Sequence, residues 1–250
     1  MTCWTCTVLD IVFTSQCSLI VQHISRGTGV IIGSEGTILT NAHVLNGMTS
    51  SGEPGEVRIP PLLISAHTLS QISVILSDGR VFGGVIYGVD PVADLAVVKV
   101  TNATEMLPAA SLATCDHMRT GDWVVAVGSS AGLDNTVTAG VVSGTFFFFL
   151  VRGMSLMPMP DAALARKGPE FGLVDNDILY IQSDATINSG NSGGPLVDVD
   201  GNVVGITTFR MQAADGIGIA IRLDSVQDIV RQLAEEGTKW TVCSLRFLTP

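Results

Sequence analysis

Positive charge is scarce in this chain: 13 Lys and Arg stand against 23 Asp and Glu, for a formal net charge of -10 over 250 residues. A surface of that sign repels phosphate backbones, so nucleic acid is not expected as a partner. Charge of either sign is thin at 14%, whereas hydrophobic residues make up 46%. That balance excludes extended disorder and gives a globular chain. Long apolar runs are missing too. The longest, Phe146 to Val151, is far below the roughly 20 residues that span a bilayer, so no transmembrane segment is expected.

The cysteines are few and badly placed for pairing. Cys3, Cys6, Cys17, Cys115 and Cys243 form an odd, scattered set that fits no disulfide framework and points mildly to a reducing compartment. Cys3-Trp4-Thr5-Cys6 has no second pair or nearby histidine to complete a zinc site, so neither metal nor cofactor is expected. No Lys or Arg precedes Arg26, and Asp10 interrupts the apolar N-terminal stretch. That segment resembles neither a secretory signal nor an Arg-rich transit peptide, and it leaves localisation unread.

What is present is a series of short Val- and Ile-rich segments separated by glycine-bearing turns, the pattern of an all-β sandwich or barrel. Thr28 to Ile32, the turn Gly33 to Gly36 and Thr37 to Thr40 read as one hairpin; Gln71 to Leu76, Asp78-Gly79 and Val81 to Tyr87 read as another. Leu95 to Val100 reads as a buried strand. Trp123 to Gly128, Val137 to Ser143, Ile178 to Ser183, Pro195 to Val199, Val203 to Thr208 and Gly216 to Ala220 make a second strand-rich half. One helix is expected, because Val226, Ile229, Val230 and Leu233 recur at helical spacing after Asp224; Gln227 serves as capping-box partner and Gly237 terminates it. Gly47 to Ser70 reads as a long loop, and Phe146 to Val151 as a core strand leading into an irregular stretch up to Glu170.

The stretch Gly190-Asn191-Ser192-Gly193-Gly194-Pro195-Leu196 places a serine between glycines, which suits a backbone bent tightly around a nucleophile. G-x-S-x-G alone is a weak signal in a chain with 27 glycines. Residue order sharpens it, because unrelated folds reach Ser-His-Asp geometry with the three residues in different orders. The histidines are His23, His43, His67 and His117, and none follows Ser192, which excludes the α/β-hydrolase order. Asp78 with His117 could formally supply a subtilisin-like order but lacks the helical setting. Thr40-Asn41-Ala42-His43-Val44 and Asp94, just before the strand at Leu95, complete the order His-Asp-Ser.

The chemistry fits those residue types. Serine needs a base within hydrogen-bond reach, and the base needs a third group to hold its tautomer. His43 is the candidate base and Asp94 the candidate orienting carboxylate. Gly190 can place its N–H beside that of Ser192, giving two donors for the oxyanion of a tetrahedral intermediate. A phosphate-binding turn is the competing reading, but no lysine follows and P-loop spacing is absent.

Gly27 to Ile32 (G-T-G-V-I-I), Thr40 to Val44 (T-N-A-H-V), Asp94 to Lys99 (D-L-A-V-V-K), Gly121 to Gly128, Gly132 to Gly140 and Gly190 to Leu196 together resemble the Do-like (HtrA/Deg) serine proteases. The resemblance implies an all-β, chymotrypsin-like fold of two six-stranded Greek-key barrels with a C-terminal helix. Its expected layout is an atypical segment at 1–26 and a protease domain at 27–237, with barrels at about 27–105 and 118–223 and a helix at 224–236. A tail at 238–250 follows, with no PDZ domain. Ser18 to Ile24 is the expected stand-in for the family's first strand.

Carried over residue by residue, the resemblance makes His43 general base, Asp94 its orienting partner and Ser192 nucleophile, with the N–H groups of Gly190 and Ser192 as oxyanion hole. Thr208 and Phe209 would pair with substrate backbone. Thr186 would stand near the base of a specificity pocket without an acid, favouring small to medium aliphatic P1 residues over Lys or Arg. Asn191, being neutral, cannot form the buried ion pair that activates trypsin-like zymogens. Regulation would instead come from ordering of loops such as Asp184 to Ser189 and Arg210 to Asp215. The implied function is ATP-independent endoproteolysis of unfolded or damaged protein. The implied assembly is a homotrimer, and the compartments open to the family are an organelle, chloroplast or mitochondrion, and the bacterial periplasm. The other reading left open is a catalytically silent, chaperone-like binder.

Overall fold

The computed structural model describes residues 8–17, 21–45, 71–113, 118–130, 133–149, 157–159, 178–188, 190–210 and 216–237. The long loop expected at Gly47 to Ser70, most of the irregular stretch up to Glu170 and the tail after Gly237 lie outside these residues.

Six strands close the first barrel in the order β1-β2-β3-β6-β5-β4, all neighbours antiparallel. They are β1 (Val8–Cys17), β2 (Val21–Gly33), β3 (Thr37–Thr40), β4 (Gln71–Leu76), β5 (Val81–Asp90) and β6 (Leu95–Thr101). Two-residue alternation is clearest where one face is sealed: Leu9, Ile11, Ile31, Ile38, Val74 and Val98 meet in the barrel core. Gly36, at φ 93, makes the tight return from β2 to β3, its N–H donating to the Gly33 carbonyl at 2.9 Å.

The first strand differs from expectation. Val8–Cys17, rather than Ser18 to Ile24, pairs with both β2 and β4 and so closes the barrel. Leu9 and Ile11 are buried, but Asp10 interrupts the apolar run Val8 to Phe13, and polar Thr14, Ser15 and Gln16 follow. Apolar residues at 8, 9, 11, 12 and 13 do not alternate, so periodicity does not mark the strand.

The second half is a sheet ordered β10-β13-β12-β11-β7-β8-β9, in which β10 also pairs with β8 and so links six of its strands in a ring. Its strands are β7 (Trp123–Ser130), β8 (Leu133–Phe149), β9 (Met157–Met159), β10 (Leu179–Ser183), β11 (Pro195–Val197), β12 (Val203–Arg210) and β13 (Gly218–Arg222). Phe146 is buried at the start of the phenylalanine run and stacks on Tyr180, ring centroids 6.2 Å apart. The fold is the trypsin-like double barrel that the motifs implied.

A shared core joins the halves. Val30, Leu39, Leu95 and Val97 from the first barrel meet Ile178, Val203, Ile206 and Ile221 from the second, with Val226, Val230 and Leu233 closing over them. These last residues belong to a 3₁₀ turn (Leu223–Val226) and the helix α2 (Gln227–Glu235). The expected capping box is not made. The helix starts after Val226 without a side-chain cap, while the Asp224 carboxylate accepts from Arg222 Nε at 2.8 Å and from its terminal nitrogen at 2.6 Å. A bidentate guanidinium two residues away outcompetes a backbone N–H for that carboxylate, and the 3₁₀ turn sets Asp224 too early to cap. Gly237 adopts the expected left-handed φ of 69 just past the helix.

Candidate active site

β3 ends at Thr40 and runs through Asn41 into a one-turn helix α1 (Ala42–Leu45), which carries His43 outward while Ala42, Val44 and Leu45 stay buried. Asp94 lies on the turn between β5 and β6. The Asp90 carboxylate accepts from the N–H groups of Val92 and Ala93 at 2.9 and 3.0 Å, shaping that turn, and the buried Ala93 and Leu95 pin it on either side. Asp94 itself has φ 53, a left-handed conformation that aspartate tolerates better than most residues. Its carbonyl accepts from the Asn41 amide at 2.8 Å and the Ala42 N–H at 3.1 Å, so the backbone of each partner is tied to the other.

The Asp94 carboxylate is saturated by donors from both halves of the molecule. One oxygen accepts the His43 N–H at 3.0 Å. The other lies 2.7 Å from His43 Nδ1 and accepts the Thr208 hydroxyl at 2.8 Å. A ring nitrogen facing a carboxylate carries the proton, which leaves Nε2 as the basic atom of the imidazole. The His43 side chain is 41% exposed and that of Asp94 26%, so the ring edge is open to a ligand while the carboxylate is mostly covered.

Ser192 sits on the loop between β10 and β11. The loop is held by backbone bonds from two directions: Thr28 N–H to the Ser192 carbonyl at 2.9 Å, and Gly193 N–H to the Thr207 carbonyl at 2.7 Å. Gly193 has φ 86, and a Cβ there would lie 2.2 Å from the Thr28 carbonyl oxygen and 2.3 Å from Thr40 Oγ1. No other residue fits. Gly190 is also left-handed at φ 109, and among the described residues neither its N–H nor that of Ser192 has an acceptor. Asn191 is 2% exposed; its side chain accepts the Asn188 N–H at 3.1 Å and donates to the Thr186 carbonyl at 3.3 Å. A neutral amide thus occupies the core of the loop.

His43, Asp94, Thr208 and Ser192 come together at the cleft. The Ser192 hydroxyl donates to the Thr208 carbonyl at 2.9 Å, and among the described residues no hydrogen bond joins it to His43 directly. Thr208 therefore touches two members of the candidate triad, Asp94 and Ser192, which its place on β12 alone could not reveal. Phe209, next on the strand, is 37% exposed along the same edge. Beside it lies a shallow concavity of about 70 Å³ lined by Ala185, Thr186, Ile187, Asn188, Arg210, Gly216, Ile217 and Gly218. Among the described residues its lining holds no carboxylate and one cation, Arg210. Of the loops expected to order the site, Ser189 and residues 211–215 lie outside the described residues.

Thr28 is a residue against the Ser192 loop that sequence reasoning passed over. It lies inside the quoted G-T-G run, was read as strand, and is fully buried between the loop and both barrels. Among the described residues no group of three or more His, Cys, Asp or Glu is placed to hold a metal ion.

The trypsin-like peptidase domain, as a family model, matches residues 27–206. The chain belongs to the trypsin-like peptidases. Its relatives are of the HtrA/Deg type: HhoA of Synechocystis sp. is 39% identical over 213 residues, 85% of this chain and 44% of its own length. Do-like 14 of Arabidopsis thaliana is 38% identical over 213 residues, 85% of this chain and 42% of its own. The mitochondrial serine protease HTRA2 of Drosophila pseudoobscura pseudoobscura is 37% identical over 215 residues, 86% of this chain and 40% of its own. The peptidase thus spans less than half the length of these curated relatives. Among its described residues no helix is long and apolar enough to cross a membrane.

Proposed function

We propose that the chain is an ATP-independent serine endopeptidase that hydrolyses peptide bonds of unfolded or damaged proteins through a covalent acyl-enzyme. The observation that carries this reading is the 2.7 Å pairing of His43 Nδ1 with Asp94, opposite a serine whose loop leaves two N–H groups without acceptors among the described residues. His43 Nε2 takes the Ser192 proton as Oγ attacks the scissile carbonyl. The N–H groups of Gly190 and Ser192 receive the oxyanion, and the imidazolium, steadied by Asp94, returns its proton to the leaving amine. Water then repeats the sequence on the ester.

Substrate docks as a strand along Thr208 and Phe209. An incoming peptide N–H that takes the Thr208 carbonyl competes with the Ser192 hydroxyl, which is then freed to turn towards His43. A pocket of about 70 Å³, with Thr186 on its wall and Arg210 in its lining, accepts small to medium aliphatic P1 side chains and repels Lys and Arg. Asn191 removes the ion pair of proteolytic zymogen activation, so activity follows loop ordering, supported by assembly into a homotrimer.

Purified protein is expected to cleave casein. Ser192→Ala abolishes turnover, a loss on the order of 10⁶-fold, and Asp94→Asn leaves about 10⁻⁴ of the rate through the wrong imidazole tautomer. Cleavage that survives Ser192→Ala refutes the assignment. One observation favours the second reading, a silent chaperone-like binder: the Ser192 hydroxyl is engaged by Thr208 rather than His43. That reading predicts casein held without cleavage, equally by wild type and Ser192→Ala.

A further inference from the structure

We infer that Thr28, a residue of the first barrel, is a positioning residue for the oxyanion hole, acting through its hydroxyl on the loop that carries Ser192. The inference rests on the peptidase reading above. Thr28 is 0% exposed and holds that loop at two points two residues apart. Its backbone N–H donates to the Ser192 carbonyl at 2.9 Å, and its Oγ1 donates to the Gly190 carbonyl at 2.8 Å. The same oxygen accepts the Ser129 N–H at 3.0 Å from β7, which directs its proton at Gly190 and fixes the rotamer.

The position of these bonds gives them a consequence for chemistry. The peptide between Gly190 and Asn191 lies between the two N–H groups that would receive the oxyanion. Rotation of that unit changes their convergence, and a flipped peptide in this loop would present a carbonyl where a donor is needed. With its carbonyl tied to Thr28, the unit cannot turn without breaking a partly buried hydrogen bond. Neighbouring packing leaves little slack. A Cβ on Gly128 would lie 2.7 Å from Thr28 Oγ1, and one on Gly194 would lie 3.0 Å from its methyl group. Thr28 also reaches the base: its carbonyl accepts the Thr40 hydroxyl at 2.7 Å, two residues before the helix turn that bears His43. One residue of β2, through its side chain and its backbone, therefore sets the nucleophile loop of the second barrel in register with the histidine of the first.

Of the two holds, only the hydroxyl can be removed by substitution. Thr28→Val keeps shape and the backbone bond but deletes the Gly190 anchor; Thr28→Ser keeps the anchor and deletes the methyl group. On casein-derived peptides, Thr28→Val is expected to lower kcat at least about tenfold while KM changes less than about twofold, because the oxyanion exists only in the transition state. Thr28→Ser is expected to stay within about threefold of wild type. A merely structural role would move thermal stability in both variants without a kcat-selective loss. Folded Thr28→Val with wild-type kcat overturns the inference, as does Thr28→Ser failing as badly as Thr28→Val. Inactive wild type would instead overturn the peptidase reading, so the two failures are distinguishable.

Discussion

Gly193 stands where the backbone of both barrels converges on Ser192, and its φ of 86 adds conformational strain for any other residue. Gly193→Ala must displace a backbone oxygen 2.2 Å from the new Cβ. A fall in stability of at least about 2 kcal/mol is expected, read by thermal or denaturant unfolding, with loss of activity even where the variant folds. Thr208→Val tests a different bond. It removes the hydroxyl that Asp94 accepts at 2.8 Å but keeps the backbone carbonyl, so kcat should fall several-fold with little change in KM. The His43–Asp94 pair was legible in the sequence because residue order excluded the competing triads. Thr28 and the Thr208 hydroxyl were not, since both act through contacts between residues 162 and 114 positions apart. A threonine in a strand carries no local mark of its partner.

Elements were easiest to read where one face is sealed and a glycine turn bounds them, as with β3 and the β4–β5 hairpin. β1 was missed because its apolar residues, broken by Asp10, do not alternate, and the capping box failed because Arg222 takes Asp224. The helix α2 nevertheless packs as its periodicity requires, burying Val230 and Leu233 and receiving the Tyr87 hydroxyl at the Glu235 carbonyl, 3.1 Å away. Leu233→Ala is expected to cost about 2–4 kcal/mol through the cavity left in the shared core. β10 offers a pH probe. The Tyr180 hydroxyl is pushed up to about 12, first by burial and then by the Asp94 charge. The unfolded chain loses that proton near the ordinary value of 10, so stability is held below pH 10 and falls as pH rises towards 12. Tyr180→Phe should flatten that part of the stability–pH curve.

At the scale of the molecule, the two barrels contribute different parts of the proposed site: the first supplies His43, Asp94 and Thr28, and the second supplies Ser192, Thr208 and the concavity lined by Thr186 and Arg210. The proposed catalytic arrangement depends on the shared core of Val30, Leu95, Ile206 and Ile221 that joins the barrels. Composition foretold a globular chain dominated by strands, and the motifs foretold the double barrel, because both depend on short-range patterns. How the loop between β10 and β11 is set could not be foretold, because it depends on bonds that cross between barrels. The central claim is that this serine is activated. Labelling with a fluorophosphonate probe, followed by mapping of the modified residue, tests it most directly. The account predicts modification of Ser192 in the folded wild-type protein, lost in Ser192→Ala and in His43→Ala; a folded, assembled protein that takes up no probe would contradict it.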